Sequence, residues 1–386
     1  MPFHDPAYFF AALAGAALWF GLIVAPFRPW STRERLEPSG ATPDADLGSI
    51  VVLMPARNEA SVIGRSMAAL GRQGRGLSAI LIDDQSIDGT AEVARTAAPP
   101  DLALEVITGA ALEPGWAGKM WALEQGRRHA TRPLILLLDA DIELKPGTIA
   151  ALLRKREETG AALVSLMAEL SMVKPVERLL IPAFVYFFKL VYPFALSNSR
   201  ARLVAAAAGG CVLIERAVLE EIGGFGVLRN AIIDDCALSR AIKASGRRTW
   251  VGLTRDVISL RGYATIDPLW RMVSRSAYTQ LGYSPLLLGF ATLLMALAFW
   301  MPIIALVAFP AIDAKLVAAV GLIAMMASYV PTLRYYDRSP LWAAALPLIG
   351  TLYLAMTWHS AIDYYRGRRT TWKGRVYDRN MTSSGD

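Results

Sequence analysis

The chain has 386 residues, 54% hydrophobic and 19% charged, with 40 Lys and Arg against 33 Asp and Glu for a net charge of +7. That length and apolar fraction suit one catalytic domain joined to membrane segments rather than several soluble domains. Two cysteines, Cys211 and Cys236, and three dispersed histidines, His4, His129 and His359, exclude a disulfide framework and a zinc site. The positive charge fits contact with anionic phospholipid or anionic ligands, and equally the Arg-rich loops of an inner-membrane protein. No nucleic-acid partner is expected.

Residues 8–27 carry no charge and are long enough to cross a bilayer core. No Lys or Arg precedes them, whereas Arg28, Arg33 and Arg35 follow, which puts the N-terminus outside and the next domain in the cytoplasm. Without a basic leading region the segment reads as a retained anchor over 1–28, not a cleaved signal. Residues 29–48 turn polar, with Pro and Gly interspersed, and read as a linker.

From residue 49 to residue 260 short apolar runs alternate with helical segments. The runs are 50–54, 79–82, 103–107 and 134–138, and between them 60–72 and 91–98 have apolar residues at helical spacing. This alternation predicts an α/β fold, a mostly parallel sheet with helices on both faces. Ligands of such sheets bind beyond the carboxyl ends of the strands. Residues 179–196, apolar and aromatic but holding Pro182, Lys189 and Pro193, read as a helix in the membrane interface, with a buried core helix as the rival. Segments near 284–309, 314–333 and 341–362 are each long enough to span. Three crossings would leave the tail outside, yet Arg366, Arg368, Arg369, Lys373, Arg375 and Arg379 favour the cytoplasm. One segment is then re-entrant or interfacial, and Pro302 or Pro347 marks it.

Polar motifs close the apolar runs. The first ends in Pro55-Ala-Arg57-Asn58-Glu59, the second in Asp83-Asp84-Gln-Ser86-Ile-Asp88-Gly-Thr90, the fourth in Asp139-Ala-Asp141. Carboxylates gathered at three strand ends repel unless something cationic sits among them, and a divalent metal on a diphosphate satisfies this. Asp139 and Asp141, two apart in an extended stretch, point to one side. Each motif alone is weak, since an isolated D-x-D is usually a solvated turn and Ser86 or Asp88 suits a helix cap. Their order and strand context are the stronger signal.

Together these stretches resemble the family-2 glycosyltransferases of the GT-A fold over residues 51–260. The resemblance implies a nucleotide pocket lined by Pro55, Arg57 and Glu59, with Glu59, Asp83 and Asp84 near ribose and base. It implies Asp139 at the sugar or ribose and Asp141 on Mg2+ or Mn2+. Pro114-Gly-Trp116-Ala-Gly-Lys119-Met-Trp121-Ala122 is similar to a segment of ceramide-glucosyltransferase-like enzymes and of hopanoid- or carotenoid-associated ones, where Lys119 is a compact charge for a diphosphate. Gly209-Gly210-Cys211 resembles the acceptor-side glycine turn, and Trp116 stands on the same side. Asp234-Asp235 falls where the family has its general base, Asp235, although two acidic residues at a helix start also suit the helix dipole.

Many relatives carry Q/R-x-x-R-W on an interfacial helix. This chain has Trp270-Arg271-Met-Val-Ser-Arg275-Ser276, with Ser where Trp would stand, which weakens a processive polysaccharide synthase. Arg271 and Arg275, four apart, share a helix face and suit one phosphate or lipid headgroups. Trp372-Lys-Gly-Arg375-Val-Tyr377 resembles a tail segment of lipid-directed members, and hopanoid-associated glycosyltransferases match across the full length.

The resulting expectation is a catalytic domain over 49–281 with interfacial helices near 179–196 and 267–280, transmembrane helices over 282–363 and a basic cytoplasmic tail over 364–386. It is a multi-pass protein of a bacterial-type inner membrane, its catalytic domain facing the cytoplasm. The activity implied is inverting transfer of a hexose or N-acetylhexosamine from a UDP-sugar to a lipid acceptor. The rivals are a processive synthase and a non-catalytic nucleotide-sugar-binding subunit.

Overall fold

The computed structural model describes residues 6–38, 40, 42–229, 231–368, 371–372 and 375–376. The chain divides into two compact units, one made of Glu34–Ser171, Leu196–Gly262 and Arg369–Asp386, the other of Met1–Arg33, Met172–Ala195 and Tyr263–Arg368.

The first unit is built on eight strands, β1 (Ile50–Ala56), β2 (Ser78–Asp83), β3 (Ala103–Thr108), β4 (Leu134–Leu138), β5 (Ile142–Leu144), β6 (Leu163–Glu169), β7 (Cys211–Glu215) and β8 (Thr249–Ser259). They lie in the order β3-β2-β1-β4-β7-β6-β8-β5. The first four are mutually parallel, while β7 runs antiparallel to both β4 and β6, and β5 antiparallel to β8. The sheet is therefore mixed, its parallel half being the one the alternating pattern predicts.

Every residue of β1 is buried because both faces of the sheet are covered. Val52 and Met54 pack with Ile63 and Met67 of the helix Ala60–Leu70, whereas Val51 and Leu53 pack with Met120 and Leu123 of the helix Gly118–His129. Gly126 lets the second of these helices sit close, since a Cβ there would come 2.6 Å from Ile82 Cδ1. β1, β2 and β3 run one or two residues past the apolar runs, so Ala56, Asp83 and Thr108 are still paired when the motifs begin.

Among the described residues of the second unit four helical stretches are long and apolar enough to cross a membrane, Pro6–Val24, Pro285–Ala308, Ile312–Tyr335 and Pro340–Tyr365. The first runs parallel to the third, with the Tyr8 ring tilted against Phe309, centroids 4.7 Å apart, at one end and Ala16 against Gly321 further along. The last runs antiparallel to Pro285–Ala308, because Trp300 Nε1 donates to Thr351 Oγ1 at 2.9 Å and Trp358 Nε1 to Thr292 Oγ1 at 3.0 Å. Its far end lies beside the start of Pro285–Ala308, with Tyr364 stacked on Tyr283 at 4.6 Å.

The segment expected as one interfacial helix over 179–196 begins earlier and is broken. It is Pro175–Val191 followed by a single turn, Phe194–Ser197. Glu177 accepts the N–H groups of Val173 and Lys174, each at 2.8 Å, and so fixes the start, while Pro193 removes a helical donor at the end. This helix is no free interfacial rod. Its Lys189 is 1% exposed, donating to Ser31 O at 2.7 Å and Thr332 Oγ1 at 3.4 Å. The stretch expected over 267–280 is likewise two helices, Ile266–Ser274 and Ala277–Gln280. Of the tail, Thr371–Trp372 pairs antiparallel with Arg375–Val376, whereas Arg369, Lys373, Tyr377 and Arg379 lie outside the described residues.

Candidate active site

The sheet register assembles the first cluster. β4 ends at Leu138 opposite Cys211, the first residue of antiparallel β7, so Gly209 and Gly210 arrive where Asp139 leaves the sheet. The Asp139 N–H donates to Gly210 O at 3.1 Å. Asp234 and Asp235 open the helix Asp234–Ala244, and Asp235 accepts from the N–H of Gly209 at 2.8 Å and of Cys236 at 2.7 Å. Lys119, in the first turn of Gly118–His129, places Nζ 2.7 Å from Asp139 and 3.7 Å from Asp234. Lys119, Asp139, Gly209, Asp234, Asp235 and Pro55 line a cavity together with Leu123, Leu137, Phe225, Leu228 and Leu238. A Cβ on Gly209 would project into it, 3.4 Å from Asp235 Oδ2 and 3.5 Å from Lys119 Nζ.

One ammonium cannot balance three carboxylates in an apolar enclosure, and the pKa values divide accordingly. Burial disfavours the charge of Lys119, but Asp139, Asp234 and Asp235 outweigh it and hold the group protonated. Asp139 is pushed up by burial and by Asp141 and Asp234, against the pull of Lys119. Asp235 is pushed up to about 6, first by burial and then by Asp234, with the bonds from Cys236 and Gly209 and the charge of Lys119 opposing.

The second cluster follows from β5 pairing with β8. Ile142 lies opposite Ser259, the Leu260 N–H donates to Asp141 O at 2.8 Å, and Arg261 comes next. Its guanidinium reaches Asp141 Oδ2 through Nε and Glu59 Oε1 through Nη2, each at 2.9 Å. The third cluster joins the ends of β1 and β2. Arg57 bonds the Asp84 carbonyl and lies 3.7 Å from the carboxylate of Asp84, which is 2% exposed. Asn58 and Gln85 take left-handed backbone, φ +52° and φ +56°. Asp83 accepts from Ser86 N–H at 2.9 Å, and Asp88 from Ala60 and Thr90 N–H at 3.0 and 3.1 Å, so these two carboxylates hold the loop in shape.

The carboxylates expected around a single shared cation fall into neighbouring groups, with Asp141 close enough to Asp139 to push its pKa up. Asp84, Asp141 and Asp235 each sit by a different protein cation, Arg57, Arg261 and Lys119, and neither Asp84 nor Asp141 lines the Asp235 cavity. Lys119, expected to meet a diphosphate, is engaged by carboxylates. Trp116 packs on Trp121 with ring centroids 5.3 Å apart and lies outside that lining, as does Gly210. Arg271 and Arg275 belong to the second unit, where Arg271 pairs with Asp267 one turn earlier and Arg275 is exposed. Arg261 was not legible. It stands alone after a strand with no motif spacing, and only the excess of carboxylates at the strand ends hints that a protein cation is needed.

Among the described residues no cluster of three or more His, Cys, Asp or Glu could hold a metal by itself. Mg2+ or Mn2+ carried by a diphosphate would take one or two carboxylates from the protein and the rest of its ligands from phosphate and water. Asp141 and Glu59, gathered around one positive group, have the right chemistry.

The sheet order, with carboxylates at the ends of β1, β2 and β4, is that of the GT-A class. Over 92% of this chain and 99% of its own, the mannosyltransferase PcManGT from Pyrobaculum calidifontis, solved in complex with GDP-Man and Mn2+, superposes with a TM-score of 0.51 at 20% identity. The description of glycosyltransferase-like family 2 matches residues 48–274, and the chain belongs to that family. Curated relatives match in part. A 4,4'-diaponeurosporenoate glycosyltransferase of Staphylococcus haemolyticus (strain JCSC1435) is 33% identical over 98 residues, 25% of each chain. An undecaprenyl-phosphate 4-deoxy-4-formamido-L-arabinose transferase of Shewanella sediminis (strain HAW-EB3) is 32% identical over 114 residues, 28% of this chain and 33% of its own. The matched stretch thus spans a quarter to a third of these relatives.

Proposed function

We propose that this protein is a membrane-bound inverting glycosyltransferase that moves a hexose or N-acetylhexosamine from a UDP-sugar to the hydroxyl of an isoprenoid-derived lipid, a hopanoid being the acceptor the sequence resemblance suggests. The observation that carries the reading is Asp235, a half-buried carboxylate fixed by two backbone N–H groups and facing a cavity shared with Asp139 and Lys119. A hydroxyl attacks poorly until its proton is accepted, and a raised carboxylate pKa brings the base nearer the working pH. Asp235 takes that proton as the oxygen displaces the nucleotide diphosphate in one step, which inverts the anomeric centre. Asp141 is the carboxylate we assign to a divalent cation, which when bound with the donor would supply neutralisation of the leaving diphosphate. Arg57 and Asp84 are assigned to the nucleotide end, with uracil favoured by the Asp83-Asp84 pair. The two relatives named for a carotenoid acid and for undecaprenyl phosphate support an isoprenoid acceptor class.

We further propose three crossings, Pro6–Val24, Pro285–Ala308 and Ile312–Tyr335, with the catalytic unit and the tail both cytoplasmic. The support is the course of residues 340–365. They leave four residues after Ile312–Tyr335 ends and finish beside Tyr283, at the start of Pro285–Ala308. A helix that goes out and a helix that comes back begin and end on one face, so 340–365 returns to the face it left. This reconciles the basic tail with the positive-inside tendency. A thiol reagent confined to the outside should fail to label Arg368→Cys in intact cells; labelling there contradicts the third-crossing topology.

Membranes incubated with labelled UDP-sugars and either Mn2+ or a chelator test the activity. Labelled lipid in the organic extract, formed only with metal, is the expected result. A long labelled polymer would establish a processive synthase instead, and donor binding without turnover a scaffolding subunit.

A further inference from the structure

The cation that occupies the Asp141 site in this structure belongs to the protein. Arg261 bridges Asp141 and Glu59 through two different nitrogens, each 2.9 Å from its carboxylate. The two carboxylates are recessed, with side-chain exposures of 15% for Asp141 and 11% for Glu59, whereas the Arg261 side chain is 43% exposed. Asp141 is pinned by its backbone carbonyl to β8, and Glu59 by its N–H to Thr90 Oγ1 at 2.9 Å. The acceptors therefore stay in place, and the long, half-exposed side chain is the element able to move.

We infer that Arg261 is a resident counter-cation of the donor site, excluding a free divalent metal until a nucleotide diphosphate arrives to take the guanidinium over. This rests on the reading of Asp141 as the metal carboxylate. A divalent ion approaching the site without donor meets a positive group already bonded to its ligands, so like-charge repulsion and loss of two charge-assisted hydrogen bonds both oppose entry. A diphosphate offers the planar guanidinium an equivalent set of anionic oxygens in a paired geometry. Arg261 then changes partners without losing its bonds, and Asp141 and Glu59 become available to the incoming cation. Metal and donor consequently bind as an ordered pair, which protects the site from stray divalent ions. Arg261 acts as a positioning residue in this scheme.

The test is Mn2+ binding by the purified full chain in detergent, read from the electron paramagnetic resonance of free Mn2+, with and without UDP. Without UDP, Arg261→Gln should bind Mn2+ at least tenfold more tightly than wild type, while Arg261→Lys, which keeps the charge, should stay close to wild type. Equal or weaker binding by Arg261→Gln overturns the inference, as does tight binding by Arg261→Lys. In the wild type UDP should raise Mn2+ affinity at least tenfold; no change with UDP overturns it as well, and this arm needs no variant to fold. Asp141→Asn separates the two layers. If it leaves Mn2+ binding in the presence of UDP unchanged, the assignment of Asp141 to metal has failed, and the inference with it; if it abolishes that binding, the Arg261 variants alone decide.

Discussion

The two units of this chain handle buried polar groups in opposite ways. In the membrane unit the buried Tyr186, Trp19 and Lys189 each find a partner, while Tyr329 Oη stays buried without one among the described residues. Tyr186 meets Ser328 at 2.6 Å, Trp19 Nε1 meets Ala298 O at 2.6 Å, and Lys189 reaches Ser31 and Thr332. In the catalytic unit the charges are deliberately uneven, with three carboxylates around Lys119 and two around Arg261. Matched pairs away from water hold a shape, because an unpaired polar atom there is expensive. Unmatched charges store a demand that a ligand can meet. The difference separates residues that maintain the fold from residues poised for chemistry.

Three perturbations sharpen that contrast. The largest effect is expected for Asp235→Asn, which keeps the shape and removes the proton acceptor. Turnover should fall by roughly 10²–10⁴-fold with UDP-sugar affinity retained, as kinetics and a donor-binding assay on the same preparation would reveal. Unchanged turnover takes the base role away from Asp235. Next is the acid limb of the pH profile. Because Asp235 is raised to about 6, its basic form is present above that pH and is lost as pH falls through it. The turnover number should therefore drop roughly tenfold per pH unit below the inflection, and a profile flat across it would separate the proton transfer from this carboxylate. The smallest effect belongs to the matched unit. Lys189→Met keeps the stem but loses the bond to the Ser31 carbonyl, and should destabilise the protein by about 1–3 kcal/mol with the turnover of the folded fraction unchanged. Thermal unfolding in detergent measures the first quantity, and a lost turnover at intact stability would mean that matched pairs also serve catalysis.

The parallel half of the sheet was legible because β1, β2 and β4 are buried apolar runs punctuated by acidic turns. The mixed half was not, since β6, β7 and β8 are set by pairings across long stretches of sequence that no local period records. Residues 175–197 illustrate the same limit: composition located the helix, but its ends depend on the Glu177 cap and on Pro193. In the site, Lys119, Asp139, Gly209, Asp234 and Asp235 were named from motifs and do meet at one cavity. Which carboxylate faces which cation was beyond the sequence. Arg261 reaches Glu59 only because β5 and β8 are neighbours, a relation between residues 202 apart.

The surplus of negative charge around Lys119 also sets a direction. An anionic tail drawn toward Asp235 would meet repulsion, whereas Arg261 and Arg57 sit by the ends of β8 and β1. Under the proposed function, a nucleotide-sugar entering this field would be turned like a needle, phosphates toward the arginines and neutral sugar toward the acidic end. The potential would then set the orientation required for attack before any contact with the sugar is made.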